Sequence, residues 1–186
     1  RGKPTVHKQF GEGPALLVGD ALLTEAFALL ARQHLPSETI AQLVRDLSHA
    51  AGYQGMIGGQ ARDIGMGGPV TDIDTLIRLH SMKTGALLGV SAIMGARVAG
   101  ATPTQLEAAE IYGRNVGLAF QLADDVLDAD EDAGEDGPPS YVKFIGVDET
   151  RRRAVHLAEE AIQGATKLPH PERLVALAKF IVERDH

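Results

Sequence analysis

The octapeptide Gln121-Leu-Ala-Asp124-Asp125-Val-Leu-Asp128 gathers three aspartates within eight residues, directly after a stretch without charged side chains. Wound as an α-helix at about 100° per residue, it places Gln121 and all three carboxylates within roughly 100° of the circumference. The opposite side carries apolar residues, namely Ala119, Phe120, Leu122, Ala123, Val126 and Leu127. This pattern predicts a helix that is buried on one side and presents a polar face on the other.

The aspartates are an unfavourable choice for a helix unless they bind something. Like charges crowded on one face are mutually destabilising, and acidic residues near a helix C-terminus oppose the macrodipole. Carboxylates are hard oxygen ligands, and Mg²⁺ usually takes one or two of them and completes its shell with water and phosphate oxygens. We therefore expect Asp124, Asp125 and Asp128 to hold Mg²⁺ against a diphosphate. The alternative is an ordinary solvated acidic helix end.

Composition excludes several classes of protein. The 186 residues suit one domain with a sizeable core, and the absence of Cys rules out disulfides and thiolate metal sites. A net charge of −7 argues against a nucleic-acid partner. The apolar stretch 84–101 is interrupted by Arg97, so we expect no membrane span. A reducing, cytoplasmic location is compatible with these features.

Helical periodicity recurs along the whole chain without convincing strand alternation, which predicts an all-α fold. The glycines of segment 52–68 weaken a helix there, so we expect them to allow close approach of a neighbouring backbone or ligand. We expect a first helix over about 13–33, a second after Ser37, and a third that begins with a capping box at Thr71–Asp74 and runs through Leu87. A long helix should follow the cap Thr102-Pro103, and two more should begin at the cap Asp148 and at Pro171.

Five segments, in order along the chain, together resemble the trans-polyprenyl diphosphate synthases. They are Arg1-Gly-Lys-Pro-Thr5, Gly19-Asp20-Ala-Leu, Gly58-Gly59-Gln60 with Asp63, His80-x-x-Lys83-Thr84-Gly85, and Phe120-Gln121-x-x-Asp124-Asp125-x-x-Asp128. Members of this family join isopentenyl diphosphate head-to-tail to an allylic diphosphate, making geranyl, farnesyl or geranylgeranyl diphosphate. The resemblance implies the all-α isoprenoid synthase bundle, with Mg²⁺ as cofactor, both diphosphates as substrates and a homodimer as the assembly.

The resemblance also implies roles for individual residues. Asp124, Asp125 and Asp128 match the family's second aspartate-rich motif, which holds Mg²⁺ against the allylic diphosphate. Lys83 and Thr84 match residues that bind this diphosphate directly, and Gln121 matches a glutamine beside the reacting end, so these three are the expected catalytic residues. Further expected substrate-binding residues are Arg1, toward isopentenyl diphosphate, and Gln60 and Asp63, which line the cavity.

The chain also departs from the family pattern. The first aspartate-rich motif would stand immediately before Arg1, so we expect residues 1–186 to be the C-terminal portion of a single domain whose N-terminal helices are missing, and to be inactive alone. The lysine that the family commonly supplies after the second motif has Lys143 as its nearest candidate. Two alternatives stay open, a non-catalytic partner subunit and a class I terpene cyclase, although cyclases usually carry an Asn/Asp, Ser and Glu triad at wider spacing.

Overall fold

The computed structural model describes residues 2–129 and 139–184, which form helices and contain no strand. The predicted all-α class is therefore confirmed. The chain divides into two compact units, residues 1–45 and 46–186. The helices are α1 Val6–Phe10, α2 Glu12–Ala31, α3 Ser37–Ala51, α4 Met56–Asp63, α5 Ile73–His80, a π-helical turn Ser81–Gly85, α6 Ala86–Val98, α7 Pro103–Leu127, α8 Tyr141–Ile145, α9 Val147–Ala165 and α10 Glu172–Glu183.

The first unit holds α1, α2 and most of α3. Gly11 separates the first two helices with a φ of 92°, in the left-handed region that favours glycine. The helix predicted over 13–33 is confirmed within two residues at each end. By length and composition α2 is apolar enough to cross a membrane, with a mean hydropathy of 1.6. One such helix is a weak indication, since core helices share this composition, and the absence of a membrane span stays a prediction.

The second unit is built around α7, which packs against α6, α9 and α10. Small apolar residues dominate the contacts, so the helices approach closely. The buried cluster comprises Tyr112, Val116, Ala119 and Ala123 of α7, Ala161 and Ala165 of α9, and Ala178 and Ile181 of α10. The Tyr112 hydroxyl donates a hydrogen bond to the Leu174 carbonyl at 2.9 Å, which ties α7 to the start of α10.

Glycines set the distance between α7 and the preceding helical segment. A Cβ built on Gly113 would lie 2.6 Å from the Cα of Gly89, and one on Gly117 would lie 2.8 Å from the Cα of Gly85. Both contacts are to backbone atoms, so a side chain at either position would push the two segments apart. This close approach brings the octapeptide of α7 next to the π-helical turn.

Helix capping follows the predictions only in part. Thr102 is the expected N-cap of α7, and it forms a reciprocal capping box with Gln105. The cap of α5 is Asp72, which accepts from the Thr75 amide at 2.8 Å, so the box predicted from Thr71 was wrong by one residue. The cap of α9 is Gly146, at a φ of 79°, which leaves the predicted cap Asp148 in the first turn, where its charge favours the dipole.

Candidate functional site

A π-helical turn over Ser81–Gly85 joins α5 to α6 and carries Lys83 and Thr84. The sequence predicted one continuous helix here, because a π-turn leaves no distinct residue pattern. Such turns widen the backbone spiral locally and are frequent at functional sites. The π-turn thus gives Lys83 and Thr84 a backbone geometry that differs from that of the flanking α-helices.

Lys83 is held from two sides by α4. A Cβ built on Gly59 would lie 2.3 Å from the Lys83 amide nitrogen, so only glycine allows this approach, and the predicted close approach to a neighbouring backbone is confirmed for Gly59. The Lys83 ammonium donates to Oδ2 of Asp63 at 2.5 Å. The Lys83 side chain is 35% exposed and the Asp63 side chain 34%, so an anion can reach the ammonium from solvent.

Thr84 connects the π-turn to α7. Its hydroxyl donates to Oε1 of Gln121 at 3.1 Å, and Nε2 of Gln121 donates to Oδ1 of Asp125 at 3.2 Å. The carboxylate can only accept, so the amide nitrogen of Gln121 must face Asp125 and its oxygen must face Thr84. Residues 37 positions apart in sequence thus share one hydrogen-bonded chain, while the substrate contacts that the resemblance implies for Thr84 and Gln121 stay predictions.

Asp124 contacts Arg184, which follows α10. The guanidinium forms an ion pair with Oδ1 of Asp124 and lies over the Phe120 ring, 4.5 Å from its centroid. The Arg184 side chain is only 16% exposed, and its Nε is buried without a hydrogen-bond partner among the described residues. Burial raises the pKa of the Asp124 carboxyl, and Arg184 opposes that rise.

The three aspartates occupy different environments, unlike the single polar face expected from the helical wheel. Asp125 is 8% exposed, and its Oδ2 accepts from the Tyr141 amide at 2.6 Å. Asp128 is exposed at the C-cap of α7. The difference arises because residues 140–145 and Arg184 pack on the side of α7 that the sequence had suggested was open.

Asp124 and Asp128 are the pair whose chemistry fits magnesium. They lie one turn apart on α7, and the backbone amide of Asp128 donates to the Asp124 carbonyl. Within residues 2–129 and 139–184 no group of three acidic, His or Cys side chains is placed to enclose a metal. That does not exclude Mg²⁺, because this ion usually takes one or two protein carboxylates and leaves its other positions to water and phosphate.

His80 and Tyr141 pack together behind the π-turn. Their ring centroids are 5.3 Å apart, and both side chains are buried. Burial lowers the pKa of His80 from 6.5 to about 4, with nearby Asp63 raising it and Lys83 lowering it. The imidazole is therefore neutral at physiological pH and serves in packing.

Two further predicted substrate-binding residues are Gln60 and Arg1. Gln60 is partly buried one turn before Asp63 on α4, and its role in lining the cavity stays a prediction. Arg1 lies outside the described residues. Sequence reasoning assigned no role to Arg184 or to the Tyr141 amide, because an Arg after an apolar helix and a backbone amide carry no distinguishing pattern.

A groove of about 390 Å³ adjoins the π-turn on its other side. Small and apolar side chains contribute much of its wall, including Met82, Gly85, Ala86, Gly89 and Ile93. Arg114 and Glu110 of α7 also line it. An extended hydrocarbon chain is compatible with such a wall.

The helical bundle thus combines partly exposed ionic groups at the π-turn with a groove whose wall is part apolar and part charged. The chain belongs to the polyprenyl synthetase family, whose profile matches residues 1–168. It is 36% identical over 202 residues to "Geranylgeranyl pyrophosphate synthase 4" of Arabidopsis thaliana, covering 100% of this chain and 54% of that protein.

Solved structures agree with this assignment. A crystal structure of an FPP/GFPP synthase from Zymomonas mobilis superimposes with a TM-score of 0.89 at 35% identity, covering 97% of this chain and 65% of that one. The structure of the geranyltransferase from Helicobacter pylori, complexed with magnesium and isoprenyl diphosphate, superimposes with a TM-score of 0.79 at 31% identity. This match covers 97% of this chain and 63% of that one. The predicted isoprenoid synthase bundle is confirmed, and the chain spans between about half and two thirds of the length of these proteins.

Proposed function

We propose that this chain is part of a magnesium-dependent prenyltransferase that joins isopentenyl diphosphate head-to-tail to an allylic diphosphate, giving a short-chain product. The observation that carries the proposal is the hydrogen bond between Thr84 and Gln121, which brings two family motifs together beside Lys83 and Asp124. Family membership supports the same reaction, since the relatives that match carry the names of geranylgeranyl and farnesyl diphosphate synthases.

The first step is departure of the allylic diphosphate. The bond between the allylic carbon and the diphosphate oxygen breaks, and both electrons leave with the oxygen. The Lys83 ammonium would donate to the departing anion and stabilise the charge as it grows, and the Thr84 hydroxyl would join it by turning its one proton away from Gln121. Asp124 and Asp128 would hold Mg²⁺, and the bound ion would supply further positive charge to the same leaving group.

The second step forms the new carbon–carbon bond. The alkene of isopentenyl diphosphate would donate its electron pair to the allylic cation, and transfer of one proton to the departed diphosphate would restore a double bond. Gln121 lies next to Thr84, so its amide would lie beside the reacting end of the allylic substrate. The apolar wall of the neighbouring groove would hold the hydrocarbon tail and exclude water from the cation.

Product analysis of the full-length protein that contains this chain tests the proposal. Incubation with labelled isopentenyl diphosphate, an allylic diphosphate and Mg²⁺ should give a linear prenyl diphosphate by mass spectrometry. We expect Lys83→Met to lower kcat/KM by at least about a hundredfold, because one preorganised donor to a developing anion contributes that much. The matched control is Lys179→Met, which removes an exposed lysine of α10.

Two other outcomes would contradict the proposal. Cyclic hydrocarbons as the main products would indicate a terpene cyclase. Activity that appears only after addition of a second synthase, and that survives Lys83→Met, would indicate a regulatory subunit. The homodimer implied by the family resemblance stays a prediction for the full-length protein.

A further inference from the structure

Asp125 stands apart from the other two aspartates of its motif by its burial and its partners. It is 8% exposed, whereas Asp128 is exposed and Asp124 is intermediate. Its two carboxylate oxygens accept from groups of the protein, Oδ2 from the Tyr141 amide at 2.6 Å and Oδ1 from Gln121 at 3.2 Å. Each oxygen has a second lone pair, so the low exposure of the carboxylate, more than its hydrogen bonding, limits the access of a hydrated metal ion to Asp125.

The contact with the Tyr141 amide fastens α8 to α7. Tyr141 is the first residue of α8, where a backbone amide has no partner within the helix. Ser140 caps the Lys143 amide at 3.3 Å, and Asp125 takes the Tyr141 amide. The Tyr141 ring in turn packs on His80, the residue before the π-turn. A carboxylate of α7 and the Ser140 cap thus both hold the first turn of α8.

The contact with Gln121 fixes an amide that would otherwise have two orientations. Asp125 accepts from Nε2 of Gln121, which leaves Oε1 to accept from the Thr84 hydroxyl. If the amide rotated by 180°, its oxygen would face the carboxylate and its nitrogen would face Thr84. The acceptor-only carboxylate excludes that state. Asp125 therefore controls which group Gln121 presents to the π-turn.

We propose that Asp125 is a positioning residue: it orients Gln121 and Thr84 and anchors the start of α8, and it does not ligate magnesium. This inference rests on the proposed function for its kinetic consequences, while its structural consequences are independent of turnover. The aspartate motif then has a divided role, with Asp124 and Asp128 facing the metal and Asp125 facing the protein.

The test compares Asp125→Asn with Asp124→Asn in the full-length protein. Both substitutions remove one negative charge from the same helix turn and keep the side-chain size. An Asn at 125 can accept through one oxygen only, so either the Tyr141 amide loses its acceptor or the Gln121 amide must rotate and give up the orientation that Asp125 sets. Amide exchange over residues 141–145, measured by mass spectrometry without metal, should accelerate about tenfold or more in Asp125→Asn and change little in Asp124→Asn.

Magnesium affinity should rank the two variants in the reverse order, with the larger effect in Asp124→Asn. Calorimetric titration of Mg²⁺ in the presence of inorganic pyrophosphate should show an affinity within about twofold of wild type for Asp125→Asn and at least about tenfold weaker for Asp124→Asn. For turnover, Asp125→Asn should lower kcat with little change in the Mg²⁺ dependence. Loss of Mg²⁺ affinity in Asp125→Asn equal to that in Asp124→Asn, with unchanged exchange at 141–145, would overturn the inference.

A double variant separates positioning from general damage. Combining Asp125→Asn with Gln121→Glu exchanges the donor and the acceptor, so the introduced amide can donate to the introduced carboxylate and still accept from Tyr141. The carboxylate at 121 can also accept from Thr84, as the glutamine oxygen does. Exchange rates over 141–145 should return to within about threefold of wild type. Failure of this rescue would contradict the hydrogen-bond assignment, whereas rescue in a protein without prenyl transfer would contradict only the proposed function.

Discussion

Lys83 and Asp63 are joined by an ion pair in which Nζ lies 2.5 Å from Oδ2, linking α4 to the π-turn. Lysine has a flexible stem that carries about 2 kcal/mol of rotamer entropy, so a free ammonium must be ordered when it binds an anion. Asp63 holds it in place beforehand. The pair is one-third exposed at both ends, so its contribution to folding stability is under about 1 kcal/mol.

We predict that Asp63→Asn lowers kcat/KM for the allylic substrate about tenfold, which corresponds to roughly 1.4 kcal/mol of lost preorganisation. The melting temperature should change little. Steady-state kinetics and thermal denaturation of the full-length protein measure both quantities. Glu25→Gln is the matched control, because it breaks the exposed Arg32–Glu25 ion pair of α2 and should leave the kinetics unchanged. Equal kinetic effects of the two substitutions would contradict a positioning role for Asp63.

The sequence predicted the helices better than the local geometry of the site. Periodicity located α7, whereas the roles that the family resemblance implies for Lys83, Gln121 and Asp124 stay predictions. The π-turn was missed because no local residue pattern distinguishes it from an ordinary helical turn. The burial of Asp125 was not predicted, because its partner is a backbone amide 16 residues away.

Gly59 shows how a weak helix former can be required by packing. Its helix α4 forms despite two consecutive glycines, since a Cβ at 59 would meet the backbone of Lys83 at 2.3 Å. We predict that Gly59→Ala destabilises the protein by about 1–3 kcal/mol through overpacking, as measured by urea denaturation. Gly95→Ala is the control, because nothing lies within 4 Å of a Cβ built at that position and the helix should gain up to about 1 kcal/mol. Similar effects of both substitutions would show that helix propensity, and not contact, governs Gly59.

Arg184 neutralises Asp124 in the protein without metal, so it should compete with Mg²⁺ for that carboxylate. We predict that Arg184→Gln lowers the stability of the metal-free protein by about 1–3 kcal/mol, because a half-buried carboxylate loses its charged partner. Added Mg²⁺ should then raise the melting temperature more in the variant than in wild type.

The control for Arg184 is Arg153→Gln, which removes an arginine that pairs with Glu149 on the more exposed surface of α9. Its melting temperature should respond to Mg²⁺ as wild type does. An Arg184→Gln protein whose Mg²⁺ response is unchanged or weaker would show that the guanidinium does not oppose metal binding at Asp124.

His80 gives the protein a stability that depends on pH. Burial disfavours the charged ring and lowers the pKa of His80 in the folded state to about 4, compared with 6.5 in the unfolded chain. Between these values the unfolded chain binds more protons than the folded one, so stability falls as the pH drops from 6.5 towards 4. The full loss, on the order of 3 kcal/mol, is reached near the lower pKa, and above pH 6.5 the contribution is constant.

The free energy of unfolding, measured in urea between pH 4.5 and 7.5, tests this effect. His80→Asn should lose stability at neutral pH, because it removes a buried ring that packs on Tyr141. The difference in free energy of unfolding between wild type and variant should become smaller as the pH falls, because only the wild type loses the contribution of the neutral ring. His156→Asn replaces a ring on α9 that is 70% exposed and should keep the wild-type slope. A constant gap between His80→Asn and wild type across this range would mean that the buried imidazole accepts its proton as readily in the folded protein as in the unfolded chain.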